Sequence, residues 1–304
     1  MRETQTNFES AGQTLAGTLA TPDSEAPYPA ALLLPGSGPL DREGNIKRMP
    51  LNVSRDLAIA LADAGWASLR YDKRGVGASE GEYLSTGFGD ELADAEAALE
   101  RLIGREDVTR VVVIGHSAGA LHAAELARRA DVTGSVLLAS TAKTGEQTLR
   151  WQARRMGDDI IPGPVKVIMR LFRTDVLKQQ DGAIAKLKAT TSDTARIQLQ
   201  KVNAKWMREF IAYDPVPALE AASAPILAIT GAKDVQVDPA DLDVIATTAA
   251  QAQVLALPDL DHILRNEPAP ISNPRHYGKQ AKKPIDPRVI EAILGWLTTA
   301  RITP

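Results

Sequence analysis

The stretch richest in chemistry is VVVIGHSAGALHAAELARR, residues 111–129. A β-branched run meets Gly115-His116-Ser117-Ala118-Gly119 and passes into an alanine-rich, helix-forming segment. A serine between two glycines at such a junction sits in a tight, strained turn that projects its hydroxyl outward, and the glycines let strand and helix pass closely. The helix that follows aims free N–H groups and its positive dipole end at the serine, which favours an oxyanion. Nucleophilic attack by Ser117 on an acyl carbonyl is the chemistry this placement supports.

A serine hydroxyl needs a base, and the chain offers four histidines. His116 adjoins Ser117 and is turned elsewhere by backbone geometry, His122 falls on the following helix, and His276 lies in the Pro- and Lys-rich segment ISNPRHYGKQAKKP. His262, in LPDLDHILRN just after the last apolar strand, is placed where a loop can carry it over the sheet, and it is the expected general base. The base in turn needs a carboxylate to fix its tautomer. Asp234, in ITGAKDVQV, follows a strand at the end where ligands gather in open α/β sheets. Asp238, Asp259 and Asp261 are rivals, although helix-start duty accounts for Asp238 and Asp241.

A second glycine-bearing turn, LLLPGSGPLDREGN (residues 32–45), invites a phosphate-binding reading, which its spacing rejects. The sixth position of a dinucleotide fingerprint would be Asp41, and no Lys-Ser or Lys-Thr pair completes a P-loop. What remains is a turn or a pocket for transient negative charge.

The elements that must position these residues alternate along the chain. Apolar runs at 29–36, 66–72, 110–116, 135–141, 225–231 and 252–259 are separated by helical periodicity at about 52–64, 89–103, 118–130 and 239–250, with a last helix at 287–300. This predicts an α/β fold with a mostly parallel central sheet covered on both faces by helices. The N-terminal segment NFESAGQTLAGTLATP reads as an antiparallel hairpin at the sheet edge. The long gap before residue 225 predicts a helical cap or lid at 143–210, inserted into a core formed by 1–142 and 211–304. Within it, Val165, Ile168, Phe172 and Val176 share one helical face, as do Leu199, Val202, Trp206 and Phe210. The insert carries 14 Lys and Arg against 7 Asp and Glu, a balance that would favour anionic substrates if it faced a cleft.

With 304 residues, 44% of them apolar, the chain can bury a large core, and a net charge of −3 gives no reason to expect nucleic acid or an anionic membrane as partner. The absence of cysteine excludes disulfides, thiolate metal sites and a cysteine nucleophile. No metal or other cofactor is expected. The start lacks the basic region and apolar run of a secretory signal, and no stretch approaches 18 apolar residues, so the expected location is cytoplasmic.

Taken together, LLLPGSGPLDREGN, RYDKRGVGASEG, GHSAG, TGAKDVQV and LDHIL, each in its place, resemble the α/β-hydrolases of the bacterial esterase and serine-aminopeptidase-like group. The order Ser117, Asp234, His262 is the order of that fold. The resemblance departs at Pro35, where many relatives have the histidine of a His-Gly pair. It implies an oxyanion hole made by the N–H groups of Ser37 and Ala118, so that PGSG is a pocket for a tetrahedral oxyanion. It also implies a serine hydrolase acting on a small carboxylic ester through an acyl-enzyme. Alternatives on the same residues are a thioesterase, an aminopeptidase-like enzyme or a non-catalytic binding protein. A haloalkane or epoxide hydrolase would need an aspartate at position 117.

Overall fold

The computed structural model describes residues 1–47, 49–157, 175–197 and 200–299. The chain opens with an antiparallel hairpin, β1 (Arg2–Ser10) and β2 (Gln13–Thr21). There follow β3 (Tyr28–Leu34), α1 (Val53–Asp63), β4 (Ala67–Tyr71), α2 (Phe88–Ile103), β5 (Val108–His116), α3 (Ala118–Leu126) and β6 (Val132–Leu138). Next come α4 (Gly145–Arg155), α5 (Val176–Lys188), a two-stranded hairpin β7 (Thr194–Ile197) and β8 (Gln200–Asn203), α6 (Ala204–Ala212) and α7 (Val216–Glu220). The alternation then resumes with β9 (Ile226–Gly231), α8 (Asp241–Thr248), β10 (Ala252–Leu257), α9 (Tyr277–Gln280) and α10 (Pro287–Thr299).

Eight strands form one sheet in the order β1-β2-β4-β3-β5-β6-β9-β10. All neighbours from β4 to β10 pair in parallel, and the N-terminal hairpin adds two antiparallel strands at one edge. The six apolar runs and the edge hairpin are therefore where the sequence places them. Side chains of successive strand residues point to opposite faces, which is why the central strands are apolar throughout. On β3, Ala30, Leu32 and Leu34 join the core under α2 and α3, whereas Ala31 and Leu33 join the core under α1 and α10. On β5, Val111 and Val113 take the first side and Val112 and Ile114 the second. Truncating a fully buried leucine of this set to alanine costs about 2–5 kcal/mol.

The chain leaves β3 toward β4 on one side and later returns to β5 on the other, so the strand order reverses between β3 and β5. In open α/β sheets such a reversal opens a crevice at the carboxyl ends of the strands. Leu34 of β3 is level with Gly115 of β5, and His116 with Leu138 of β6. The PGSG loop and the GHSAG turn consequently emerge side by side at that crevice.

One expectation is corrected here. The stretch ARIQLQKVNAKWMREFI is not a single helix: residues Thr194–Ile197 and Gln200–Asn203 pair as strands, and the helix begins only at Ala204. Asn203 terminates the hairpin and caps the helix, its side-chain oxygen accepting the N–H of Trp206 at 2.9 Å. Trp206 and Phe210 do share a buried helical face, but Val202 is a strand residue. Leu199 lies outside the described residues, as do Val165, Ile168 and Phe172; Val176 is the first residue of α5.

Candidate active site

Ser117 stands between β5 and α3 with φ 56° and ψ −120°, a backbone conformation that a residue with a side chain rarely adopts. The surroundings hold it there. The Ser117 N–H donates to the carbonyl of Leu138 at 2.8 Å, and its own carbonyl accepts the N–H of Ala120 at 2.9 Å. A Cβ on Gly115 would collide with the Gly119 carbonyl, and one on Gly119 with the carbonyls of Leu34 and Pro35. Both glycines are thus required by close backbone approach, as the motif implies.

His262 lies on a loop closed by pairing of Leu260 with Asn266. Its Nε2 is 3.1 Å from the Ser117 hydroxyl oxygen, and its Nδ1–H donates to Asp234 Oδ2 at 2.8 Å. Asp234 is fully buried in the turn after β9, where its Oδ1 accepts the N–H groups of Gln236 at 2.7 Å and Val237 at 2.9 Å. That turn fixes the carboxylate independently of the histidine. The three side chains brought together from positions 117, 234 and 262 form a chain along which an imidazole can take the hydroxyl proton while a carboxylate stabilises the resulting charge.

The other histidines and acids are elsewhere engaged. His116 turns away from the hydroxyl and donates from Nε2 to the main-chain carbonyl of His262 at 2.8 Å, fastening the histidine-bearing loop to the end of β5. Burial, reinforced by the neighbouring His262, pushes the His116 imidazole down to about 4, so it is neutral in this role. His122 is buried on α3 with its ring 4.4 Å from that of Phe88, and burial pushes it down to about 3. His276 is exposed. Among the rival acids, Asp259 pairs with Lys233 at 3.1 Å and Asp238 with Lys143 at 3.0 Å. Asp241 accepts from the Thr141 hydroxyl at 2.8 Å and also pairs with Lys143, tying the segment after β6 to α8. Asp261 accepts the N–H of Arg265 at 2.8 Å, and burial raises it to about 6.

The PGSG loop packs against the serine turn: a Cβ on Gly36 would sit 3.2 Å from Ser117 Cβ and 3.3 Å from the His116 carbonyl oxygen. Ala118 is the first residue of α3, where an N–H has no carbonyl a turn behind it to bond. The DREGN continuation is braced as well. Asp41 Oδ1 accepts the N–H groups of Glu43 at 3.0 Å and Asn45 at 2.9 Å, and Arg42 pairs with Asp72, after β4, at 2.6 Å.

Two cavities meet at Ser117 and share Ser37 and Gln236. One, of about 130 Å3, adjoins His262 and is walled by Leu40, Ile46, Met49, Leu51, Ile263 and Tyr277. The other, of about 150 Å3, lies against Ala118 and is walled by Leu121, Leu149, Trp206, Met207, Phe210 and Val237. None of the described residues lining either cavity is Asp, Glu, Lys or Arg. Gln236 and Tyr277 went unnoticed in the sequence, although Gln236 stands only two residues from Asp234. Among the described residues no group of three or more His, Cys, Asp or Glu could hold a metal ion, and no helix is long and apolar enough to cross a membrane.

Sheet order, serine turn and histidine loop define the α/β-hydrolase fold, and solved structures share it. Est1E from Butyrivibrio proteoclasticus with ferulic acid bound superposes with a TM-score of 0.64 at 16% identity, covering 97% of this chain and 100% of that one. The Pyrococcus furiosus esterase Pf2001 gives 0.62 at 14% identity over 98% of this chain and 90% of that one. Residues 51–269 match the model of the serine aminopeptidase S33 family, and the chain belongs to that family. The esterase EstD of Thermotoga maritima is 28% identical over 286 residues, which make up 93% of this chain and 65% of that protein's length.

Proposed function

We propose that this chain is a serine hydrolase that cleaves neutral carboxylic esters through an acyl-enzyme. The observation that carries the reading is the unbroken run of contacts from Asp234 through His262 to the Ser117 hydroxyl, 2.8 Å and 3.1 Å. Esterase relatives of the same fold support it. Ser117 Oγ bonds to the acyl carbon as its proton passes to His262 Nε2, and the carbonyl oxygen becomes an oxyanion between the N–H groups of Ser37 and Ala118. The C–O bond to the alcohol then breaks, and His262 delivers the proton to the departing oxygen. Water repeats the sequence on the acyl-enzyme and releases the acid.

The proton path divides the site. The leaving oxygen must meet His262, so the alcohol occupies the cavity that includes this histidine, and the acyl chain takes the cavity walled by Trp206 and Phe210. Residues 143–210 serve as a cap, α4 and α6 supplying Leu149, Trp206 and Phe210 to the acyl side. Among the described residues, no lysine or arginine of this segment lines the cavity; Arg150 pairs with Asp181 at 2.9 Å and Lys205 with Asp90 at 2.6 Å. The uncharged lining of the described cavities favours a neutral substrate. An aminopeptidase would need a carboxylate to receive a free amine, and none lines the described site. We place the protein in the cytoplasm, a setting compatible with its cysteine-free composition.

The test is a panel of nitrophenyl esters of graded acyl length, beside thioester and aminoacyl substrates, on wild type and Ser117→Ala, with fluorophosphonate labelling in parallel. Ester turnover and labelling should both depend on Ser117. Ester hydrolysis undiminished in Ser117→Ala would refute the reading.

A further inference from the structure

Beneath the loop after β3 lies a buried ion pair that the reaction above does not use. Lys73, two residues past β4, and Glu91, on α2, are 6% and 5% exposed. The Lys73 ammonium donates to Glu91 Oε1 at 2.7 Å and to the main-chain carbonyl oxygen of Gly36 at 2.7 Å. The second oxygen of Glu91 accepts the indole N–H of Trp206 at 2.9 Å. Three separated elements thus converge on one peptide group, the one joining Gly36 to Ser37.

Taking an ammonium and a carboxylate out of water is costly, and a pair kept for stability alone is commonly matched by apolar residues of similar size. The third contact suggests another reason for it. A trans peptide is planar, so the Gly36 carbonyl and the Ser37 N–H point in opposite directions. Gly36 has no side chain to restrict rotation of this plane, and Gly38, with φ 102°, leaves the other side of the turn similarly permissive. Anchoring the oxygen fixes the direction of the N–H. A cation on the oxygen also polarises the amide and strengthens its N–H as a donor.

We infer that Lys73 is a positioning residue that keeps the Ser37 N–H aimed at the reacting carbonyl, with Glu91 and Trp206 holding Lys73 in place. The inference rests on the proposed role of Ser37 as an oxyanion donor. It also makes the acyl-side wall and the oxyanion donor parts of one hydrogen-bonded chain, because Trp206 belongs to both.

The test compares wild type with Lys73→Met, with the charge-balanced double variant Lys73→Met/Glu91→Gln, and with Trp206→Phe, which removes the indole N–H and keeps an aromatic ring. Turnover of a nitrophenyl ester is measured beside the affinity of a trifluoromethyl ketone, whose adduct with serine carries the oxyanion, and thermal melting reports folding. The double variant removes the buried charge along with its partner, so it keeps the question open to test if Lys73→Met alone fails to fold. In the folded variants lacking Lys73, kcat should fall about 10- to 100-fold with KM changed less than about threefold, and ketone affinity should fall by a similar factor. Trp206→Phe should lower kcat about two- to fivefold, since it loosens the lysine without removing it. A folded double variant with kcat and ketone affinity within about twofold of wild type would overturn the inference while leaving the esterase reading intact. Wild type without Ser117-dependent turnover would instead remove the premise on which it rests.

Discussion

The two turns that flank the crevice are held by different means. The serine turn is locked by main chain: Ser117 bonds to Leu138, and Gly115 and Gly119 bring strand and helix backbones within contact of each other and of β3. The PGSG loop is held by side chains from elsewhere, Lys73 on its carbonyl and Asp72 on Arg42. Strain stored in a backbone lattice is hard to relax without unfolding the lattice, whereas a loop tethered by side chains can lose its aim while the fold survives. Substitutions at the two turns should therefore fail in different ways.

Ser117→Ala removes the proposed attacking oxygen and leaves both supports untouched. Turnover should drop on the order of a millionfold while the melting curve stays close to wild type. Gly119→Ala strikes the backbone lattice, because its new methyl meets the carbonyls of Leu34 and Pro35. Melting temperature and activity should fall together, with a loss of about 3 kcal/mol or more in a denaturant titration. Asp72→Asn weakens the tether of the other loop, together with the bond that Asp72 Oδ2 accepts from the Ala78 N–H at 2.9 Å. Here kcat should decline about tenfold with melting lowered by a few degrees, and a variant that loses stability and activity in proportion would erase the contrast.

A smaller effect concerns the imidazoles packed around the serine turn. Unfolded histidine takes up a proton near 6.5, but burial keeps His116 and His122 neutral down to about 4 and about 3 in the folded chain. Their contribution to stability is complete above pH 6.5 and is lost as pH falls toward 4. Asp261, raised to about 6 from 3.8, works in the opposite sense: its contribution is complete below 3.8 and is lost as pH rises through 6. Two imidazoles against one carboxyl leave a net fall in stability on acidification. His122→Leu should flatten that fall by at most about 1.4 kcal/mol per pH unit, read from denaturant midpoints between pH 6.5 and 4. An unchanged slope would show that His122 accepts its proton without cost.

How far the molecule could be read from its sequence follows the same division. Ser117, Asp234 and His262 are tied to strand ends, and strand ends announce themselves by apolar runs and glycines. The glycine pattern around Ser117 is local because the contacts it serves are local. The tether of Gly36 joins residues 73, 91 and 206, and nothing in periodicity pairs a lysine after one strand with a glutamate on the next helix and a tryptophan 115 positions further on. Taken alone, YDKRGVGAS reads as a bracing turn with a structural role. The β7–β8 hairpin was missed for another reason: its residues satisfy a helical stripe and a strand alternation equally over so few positions, and tertiary packing decides between them. Asn203, the cap that marks the true helix start, was the available signal.

The segment between β6 and α7 begins and finishes in almost the same place. The Gly145 N–H donates to the Tyr213 carbonyl at 3.1 Å, and Gly145 has no side chain where the Phe210 carbonyl crosses it. The entropic cost of bringing two loop ends together grows only slowly with loop length, so lengthening or exchanging the interior of a segment whose ends meet adds little to it. The stretch thus behaves as a cassette: evolution or an engineer can swap its contents through one narrow doorway, refashioning the cavity wall that Leu149, Trp206 and Phe210 supply beside Ser117 without re-threading the sheet below.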